Sequence, residues 1–141
     1  MKKIFISSDH AGFKLKETIK SYLIKKKRDF EDLGPYNSAR VDYPDFAHKL
    51  ARKVRNNKNN IGILVCGSGM GMNIAANRHK NIRAAQCFNL KSTKLSRLHN
   101  DANIITLGSR LLTEKIALSC IGIFLNTKFE GGRHSKRIKK I

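Results

Sequence analysis

Short apolar runs alternate with longer amphipathic stretches along this chain. Residues 3–7 (Lys-Ile-Phe-Ile-Ser) predict a short buried strand. Over residues 13–24, Phe13, Leu15, Ile19 and Leu23 recur at helical spacing and predict an amphipathic helix. A weaker strand is expected near 29–33, followed by the loop Gly34-Pro35-Tyr36-Asn37-Ser38. Tyr43-Pro44-Asp45 opens a helix through Phe46, Ala47, Leu50 and Val54, with proline in the first turn, where its missing N–H is not needed. A polar connection at 56–60 leads to a strand at 61–65, a glycine loop, and a helix to about Lys80. The pattern continues with a strand at 82–87, a helix at 92–98 and a strand at 104–107 ending in Gly108-Ser109-Arg110. Thr113-Glu114 caps a helix to Leu125, and a basic tail at 133–141 closes the chain. Five strands alternating with helices predict a three-layer α/β/α, Rossmann-like domain with a five-stranded parallel sheet. No repeat or shift in composition divides the chain, so residues 1–141 read as one domain.

In such a sheet, ligands bind beyond the carboxyl ends of the strands, above all where strand order reverses. If the order begins 2-1-3, strands one and three are neighbours at that point. Their ends are Ser8-Asp9-His10 and Cys66-Gly67-Ser68. The second belongs to the most informative run of the sequence, Ile61-Gly-Ile-Leu-Val-Cys66-Gly67-Ser68-Gly69-Met70-Gly71. It sets a thiol where a strand-to-helix turn meets unpaired backbone N–H groups, a setting that favours anions and suits a nucleophile or a base. Alone, the run also fits a tight turn carrying a small core residue. Two polar constellations converging from separate parts of the chain speak against the turn alone. Cys87 and Cys120 read as core, and three widely spaced cysteines suggest neither a disulfide framework nor a zinc site.

Charge widens the set of partners before it narrows it. The chain has 29 Lys+Arg against 10 Asp+Glu, a formal +19, which admits nucleic acid, membrane surfaces or anionic small molecules. Lys14, Lys16, Lys20, Lys25, Lys26, Lys27 and Arg28 fall at helical spacing, as do Lys49, Arg52, Lys53, Arg55 and Lys58, so both clusters read as solvated helix faces. No aromatics interleave with them to stack on bases. The apolar start stops at Ser7-Ser8-Asp9-His10, too short for a secretory signal, and no window reaches the length of a membrane span. A cytoplasmic location is the expectation, with no membrane partner.

Several phosphate chemistries fail on spacing. No Gly-Lys-Ser/Thr follows the loop, and G-x-G-x-G without a ribose acid is not the dinucleotide fingerprint. A cysteine phosphatase needs arginine six residues after its nucleophile, and position 72 is methionine. A phosphocysteine carrier would leave Asp9-His10 and His99-Asn100-Asp101 without roles. Proton abstraction alpha to a carbonyl on a phosphorylated sugar uses all of these parts: a base, N–H donors for the developing oxyanion, a second acid/base group and arginines for the phosphate.

The chain resembles the type B ribose-5-phosphate isomerases, within a wider group that includes galactose-6-phosphate isomerase subunits. The resemblance rests on Ser8-Asp9-His10-Ala-Gly-Phe-Lys14, Asp42-Tyr43-Pro44-Asp45, Cys66-Gly-Ser-Gly-Met-Gly71 and Ala75-Ala76-Asn77. It continues through Leu95-Ser96-Arg97, His99-Asn100-Asp101-Ala102-Asn103, Leu107-Gly-Ser-Arg110 and Phe129-Glu-Gly-Gly-Arg-His134. It implies that Cys66 moves a proton between C1 and C2 through an enediolate, with the amides of Gly67, Ser68, Gly69, Met70 and Gly71 on the oxyanion and the Ser68 hydroxyl assisting. It implies that His99 opens the furanose ring, that Asp9 and Asn100 hold substrate hydroxyls, and that His10, Arg110, Arg133 and Arg137 bind substrate and phosphate. Tyr43 would line the pocket. No cofactor or metal is implied, and the assembly implied is a homodimer with shared active sites, which could pair into a tetramer. Asn73 stands where the family often has serine, and Phe88-Asn89 replaces a commoner His-Asp pair. The expected reaction is interconversion of ribose 5-phosphate and ribulose 5-phosphate. Its rivals are isomerisation of a six-carbon phosphosugar such as allose or galactose 6-phosphate and, from another class, a basic nucleic-acid-binding α/β domain.

Overall fold

A computed structural model of the protein describes residues 2–141. Its elements are β1 (Ile4–Ser8), α1 (Phe13–Lys25), β2 (Phe30–Asp32), α2 (Tyr43–Val54), β3 (Ile61–Cys66) and α3 (Met70–Ala76). They continue with β4 (Ala84–Gln86), α4 (Leu90–Asn100), β5 (Ile104–Gly108), α5 (Glu114–Asn126) and α6 (Arg133–Ile138). The five strands form one sheet in the order β2-β1-β3-β5-β4, every neighbouring pair parallel. The central strands are covered on both faces, which is why β1, β3 and β5 are buried throughout and apolar almost without a break.

Side-chain alternation along the strands divides the core in two. Ile4, Ile6, Ile63, Val65, Ile105 and Leu107 face Leu15, Ile19 and Leu23 of α1 and Ala117, Cys120, Ile121 and Phe124 of α5. On the other face, Phe5, Leu64, Cys66 and Ile104 meet Ala47, Leu50, Ala51 and Val54 of α2 and Met72, Ala75 and Ala76 of α3. Cys87 and Cys120 are buried as expected, and burial pushes both thiols up.

Three local features depart from the sequence reading. Helix α3 stops at Ala76, short of Lys80, because the Asn77 side chain exchanges hydrogen bonds with Ala84, donating to its O (2.9 Å) and accepting from its N–H (2.8 Å). Residues 133–141 are not simply a tail, since most of them form α6, with His134 turned inward and buried. Lys16, read as part of a solvated face, is fully buried. Its ammonium donates to both Asp32 carboxylate oxygens (2.8 and 3.0 Å) and to the Pro35 carbonyl (2.6 Å). These bonds tie α1 to the end of β2 and the loop beyond it.

Candidate active site

The carboxyl ends of β1, β3 and β5 surround a cleft of about 400 Å³ lined by Asp9, His10, Ala11, Tyr43, Cys66, Gly67, Ser68, Gly71, Arg110 and Leu111. It lies where β1 and β3 are neighbours and their crossovers lead to opposite edges, the position anticipated from a 2-1-3 order.

Cys66 is the last residue of β3, 4% exposed, and its Sγ accepts the Gly69 N–H at 3.1 Å. Gly69 makes this turn possible at φ +79°, a left-handed conformation costly to other residues. Around it three hydrogen bonds pin the loop. The Ser68 carbonyl accepts from Gln86 (2.8 Å), the Cys66 carbonyl from the Ser109 N–H (2.8 Å), and the Gly67 carbonyl from the Arg110 N–H (2.9 Å). The N–H groups of Gly67, Ser68 and Gly71 have no acceptor among the described residues and remain available to an anion. The Met70 N–H is already taken by the Ser68 hydroxyl (3.2 Å), and the Met70 side chain is exposed.

Asp9 is buried at the mouth of β1, where one carboxylate oxygen accepts the Gly12 N–H (2.9 Å) ahead of α1. Its second oxygen carries no hydrogen bond among the described residues. The His10 ring is held at Nδ1, 3.2 Å from both the N and the O of Val41. Tyr43 starts α2 with its ring against Gly71: a Cβ there would stand 2.5 Å from the phenol ring. The Arg110 side chain likewise lies over Gly67, its Nη1 2.6 Å from where a Cβ would be. The glycines thus let two polar side chains lie against the loop that follows the thiol.

His99, Asn100, Arg133 and Arg137 are not in this cleft. Helix α4 starts after β4, level with the strands' carboxyl ends, and descends to the start of β5, so His99 and Asn100 at its end lie level with the strands' amino ends, at the opposite end of the sheet. Eleven residues of helix place them about 16 Å down that axis. There His99 stacks on His134 of α6, ring centroids 4.2 Å apart at 16°, with Glu130 beside both. Burial, the adjoining His99 and then Arg133 hold His134 below the usual imidazole range. Arg133 and Arg137 are exposed on α6.

Several residues that sequence reasoning left without a role shape these two ends. Arg97 is buried and donates to Asp101 (2.8 Å), the Ala102 carbonyl (2.6 Å) and the Thr127 carbonyl (3.2 Å), locking the end of α4 to the chain leading to α6. The i,i+4 spacing of Arg97 and Asp101 was the available signal. Gln86 gave none, because its partner is a backbone carbonyl 18 positions away. Asn73 donates to Thr106 (3.0 Å), tying α3 to β5, and Asn89 caps α4 by accepting the Ser92 N–H (2.7 Å).

A family model described as Ribose/Galactose Isomerase matches residues 4–141. The ribose-5-phosphate isomerase B of Escherichia coli is 40% identical over 141 residues, covering 100% of this chain and 95% of that protein. Among solved structures, a ribose 5-phosphate isomerase from Thermotoga maritima is 48% identical with a TM-score of 0.94, covering 98% of this chain and 95% of that one. The ribose-5-phosphate isomerase B of Mycoplasma genitalium, solved with bound ribulose-5-phosphate, is 44% identical with a TM-score of 0.95, covering 99% and 93%.

Proposed function

Because the chain belongs to the ribose/galactose isomerase family, we propose that it interconverts ribose 5-phosphate and ribulose 5-phosphate through an enediolate. The observation that carries this reading is the convergence of Cys66, the free amides of its loop, Asp9 and Arg110 on one cleft. Cys66 is the base that moves the proton between C1 and C2. As that proton leaves, charge builds on the neighbouring oxygen, and the amides of Gly67, Ser68 and Gly71 are already oriented to receive it. The Ser68 hydroxyl stands beside them, Asp9 and His10 hold substrate oxygens, Arg110 binds the anionic end, and Tyr43 walls the cleft.

Ring opening needs an acid/base group, and this role falls to His99. Within one copy His99 and Cys66 sit at opposite ends of the sheet. The proposed enzyme is therefore a homodimer in which His99, Asn100, Arg133 and Arg137 of one copy complete the cleft of the other.

Turnover of ribose 5-phosphate by the purified protein, unchanged by a chelator, is the expected result. Cys66→Ala is expected to lower kcat by on the order of 10²–10⁴-fold while substrate still binds, as measured by calorimetry. Retained turnover would remove Cys66 from the base role. Faster turnover of allose or galactose 6-phosphate in parallel assays would move the substrate to the six-carbon class. No turnover of either, with salt-sensitive nucleic-acid binding, would sink the isomerase reading.

A further inference from the structure

The second cluster, at the far end of α4, has a donor set of its own. The His99 Nε2 lies 3.9 Å and the His134 Nε2 4.0 Å from the same Glu130 oxygen, and the three ligand atoms lie within 4.8 Å of one another. These separations are too long for hydrogen bonds. His134 is 5% exposed and its Nε2 is buried with no hydrogen-bond partner among the described residues, the condition under which a bound water or ion is to be looked for. We propose that His99, Glu130 and His134 form a zinc site, and that an ion bound there withdraws His99 from ring opening and inhibits the enzyme reversibly. The inhibition rests on the isomerase reading above; the binding does not.

The geometry fits the ion. Zinc sits about 2.0–2.1 Å from imidazole nitrogen and carboxylate oxygen, so its ligand atoms stand roughly 3.3 Å apart in a tetrahedral site. Bringing each imidazole nitrogen to that distance from the Glu130 oxygen takes about 0.6–0.7 Å, and closing the widest separation takes at most about 1.5 Å, within reach of side-chain rotation in the part-exposed His99 and Glu130. The frame is fixed: the Glu130 N–H donates to the Leu98 carbonyl (3.1 Å), which holds the segment against α4 beside His99. Gly131 (φ +72°) and Gly132 (φ +57°) then turn the chain so that His134 returns under Glu130. Two histidines and a glutamate with an open position are a zinc donor set.

Charge selects among cations. Arg133 and Arg137 flank the cluster on α6 and repel any cation. Affinity must then come from imidazole lone pairs, which bind zinc and leave the oxygen-seeking magnesium and calcium ions without enough ligands.

The test is a titration of the metal-free protein with Zn²⁺ in competition with a chromophoric chelator, repeated with Co²⁺ as a spectroscopic probe. One ion per chain is expected, bound at least about tenfold more weakly in Glu130→Gln and in His134→Gln. His48→Ala, which dismantles the other close imidazole pair (His48 Nδ1 to His79 Nε2, 2.7 Å), is expected to leave binding unchanged. The Co²⁺ spectrum should lack a thiolate charge-transfer band, and Zn²⁺, but not Mg²⁺, should inhibit ribose 5-phosphate turnover until chelator is added. Absence of binding overturns the site, as does binding unchanged in Glu130→Gln, or a thiolate band that points to Cys66. Binding without inhibition overturns the link to His99. A chain that turns over no phosphosugar sinks the functional reading, and the Zn²⁺ titration still decides the site.

Discussion

Gly67 and Gly69 leave room for very different neighbours, and substitution should separate what they do. In Gly67→Ala the new methyl meets the far end of the Arg110 side chain, which can move aside. Stability is expected to hold while KM rises about tenfold, the equivalent of one charge-assisted hydrogen bond lost from Arg110. In Gly69→Ala the methyl meets the β5 backbone at 3.0–3.1 Å, and the residue must also hold φ +79°. That change is expected to cost about 1–2 kcal/mol of folding free energy, read as a lower denaturation midpoint. The alternating glycines announced a loop that hugs something, but not what, because Arg110 and Tyr43 reach it from other strands and helices. Asp9 was legible as a candidate site residue, but not the bond by which one of its oxygens accepts the Gly12 N–H ahead of α1.

Helix α1 shows why an element's pattern can mislead. Lys16 carries the charge of a surface residue, yet its partners Asp32 and Pro35 are brought beside it only by the β1–β2 pairing. Burial works against the Asp32 charge, but the bonds from Lys16 and Lys20 outweigh it and hold the carboxyl below its ordinary range. A carboxyl lowered on folding adds stability that is fully present above the ordinary carboxylate pKa and disappears as pH falls through the lowered value. Asp32→Ala is expected to lose about 3 kcal/mol at neutral pH, because it strands a buried ammonium, and to show a flatter acid limb in pH-dependent denaturation. An unchanged acid limb would contradict this account. Helix α6 was invisible for another reason, since six residues, mostly basic, carry too little periodicity to separate a helix from a charged tail. Asn89 was noted as a departure from a His-Asp pair, and its capping bond explains why the change is tolerated: asparagine and aspartate cap helices about equally well.

At the scale of the molecule, alternation of strand and helix was enough to read the layers and the parallel sheet, because each crossover permits little else. The placement of β5 between β3 and β4 was not legible; it depends on which strand edge remains open after the first three have paired. Which of the expected site residues one copy brings together was not legible, because linear motifs carry no information about which end of a helix meets which neighbour. The proposed sharing of sites makes a quantitative prediction. When Cys66→Ala and His99→Ala chains are mixed in equal amounts and allowed to reassociate, half the dimers are hybrid and each has one intact site. About a quarter of the wild-type activity should return from two inactive parents. No recovery would mean that each copy works alone.

The length of α4 then has a consequence in mass action. Under the proposed sharing, holding His99 a helix's length from Cys66 gives each folded chain two halves of different sites and no whole one. Catalytic capacity in this arrangement belongs to the pair and follows the dimerisation equilibrium: on dilution, activity per chain falls with the population of dimers while every chain stays folded.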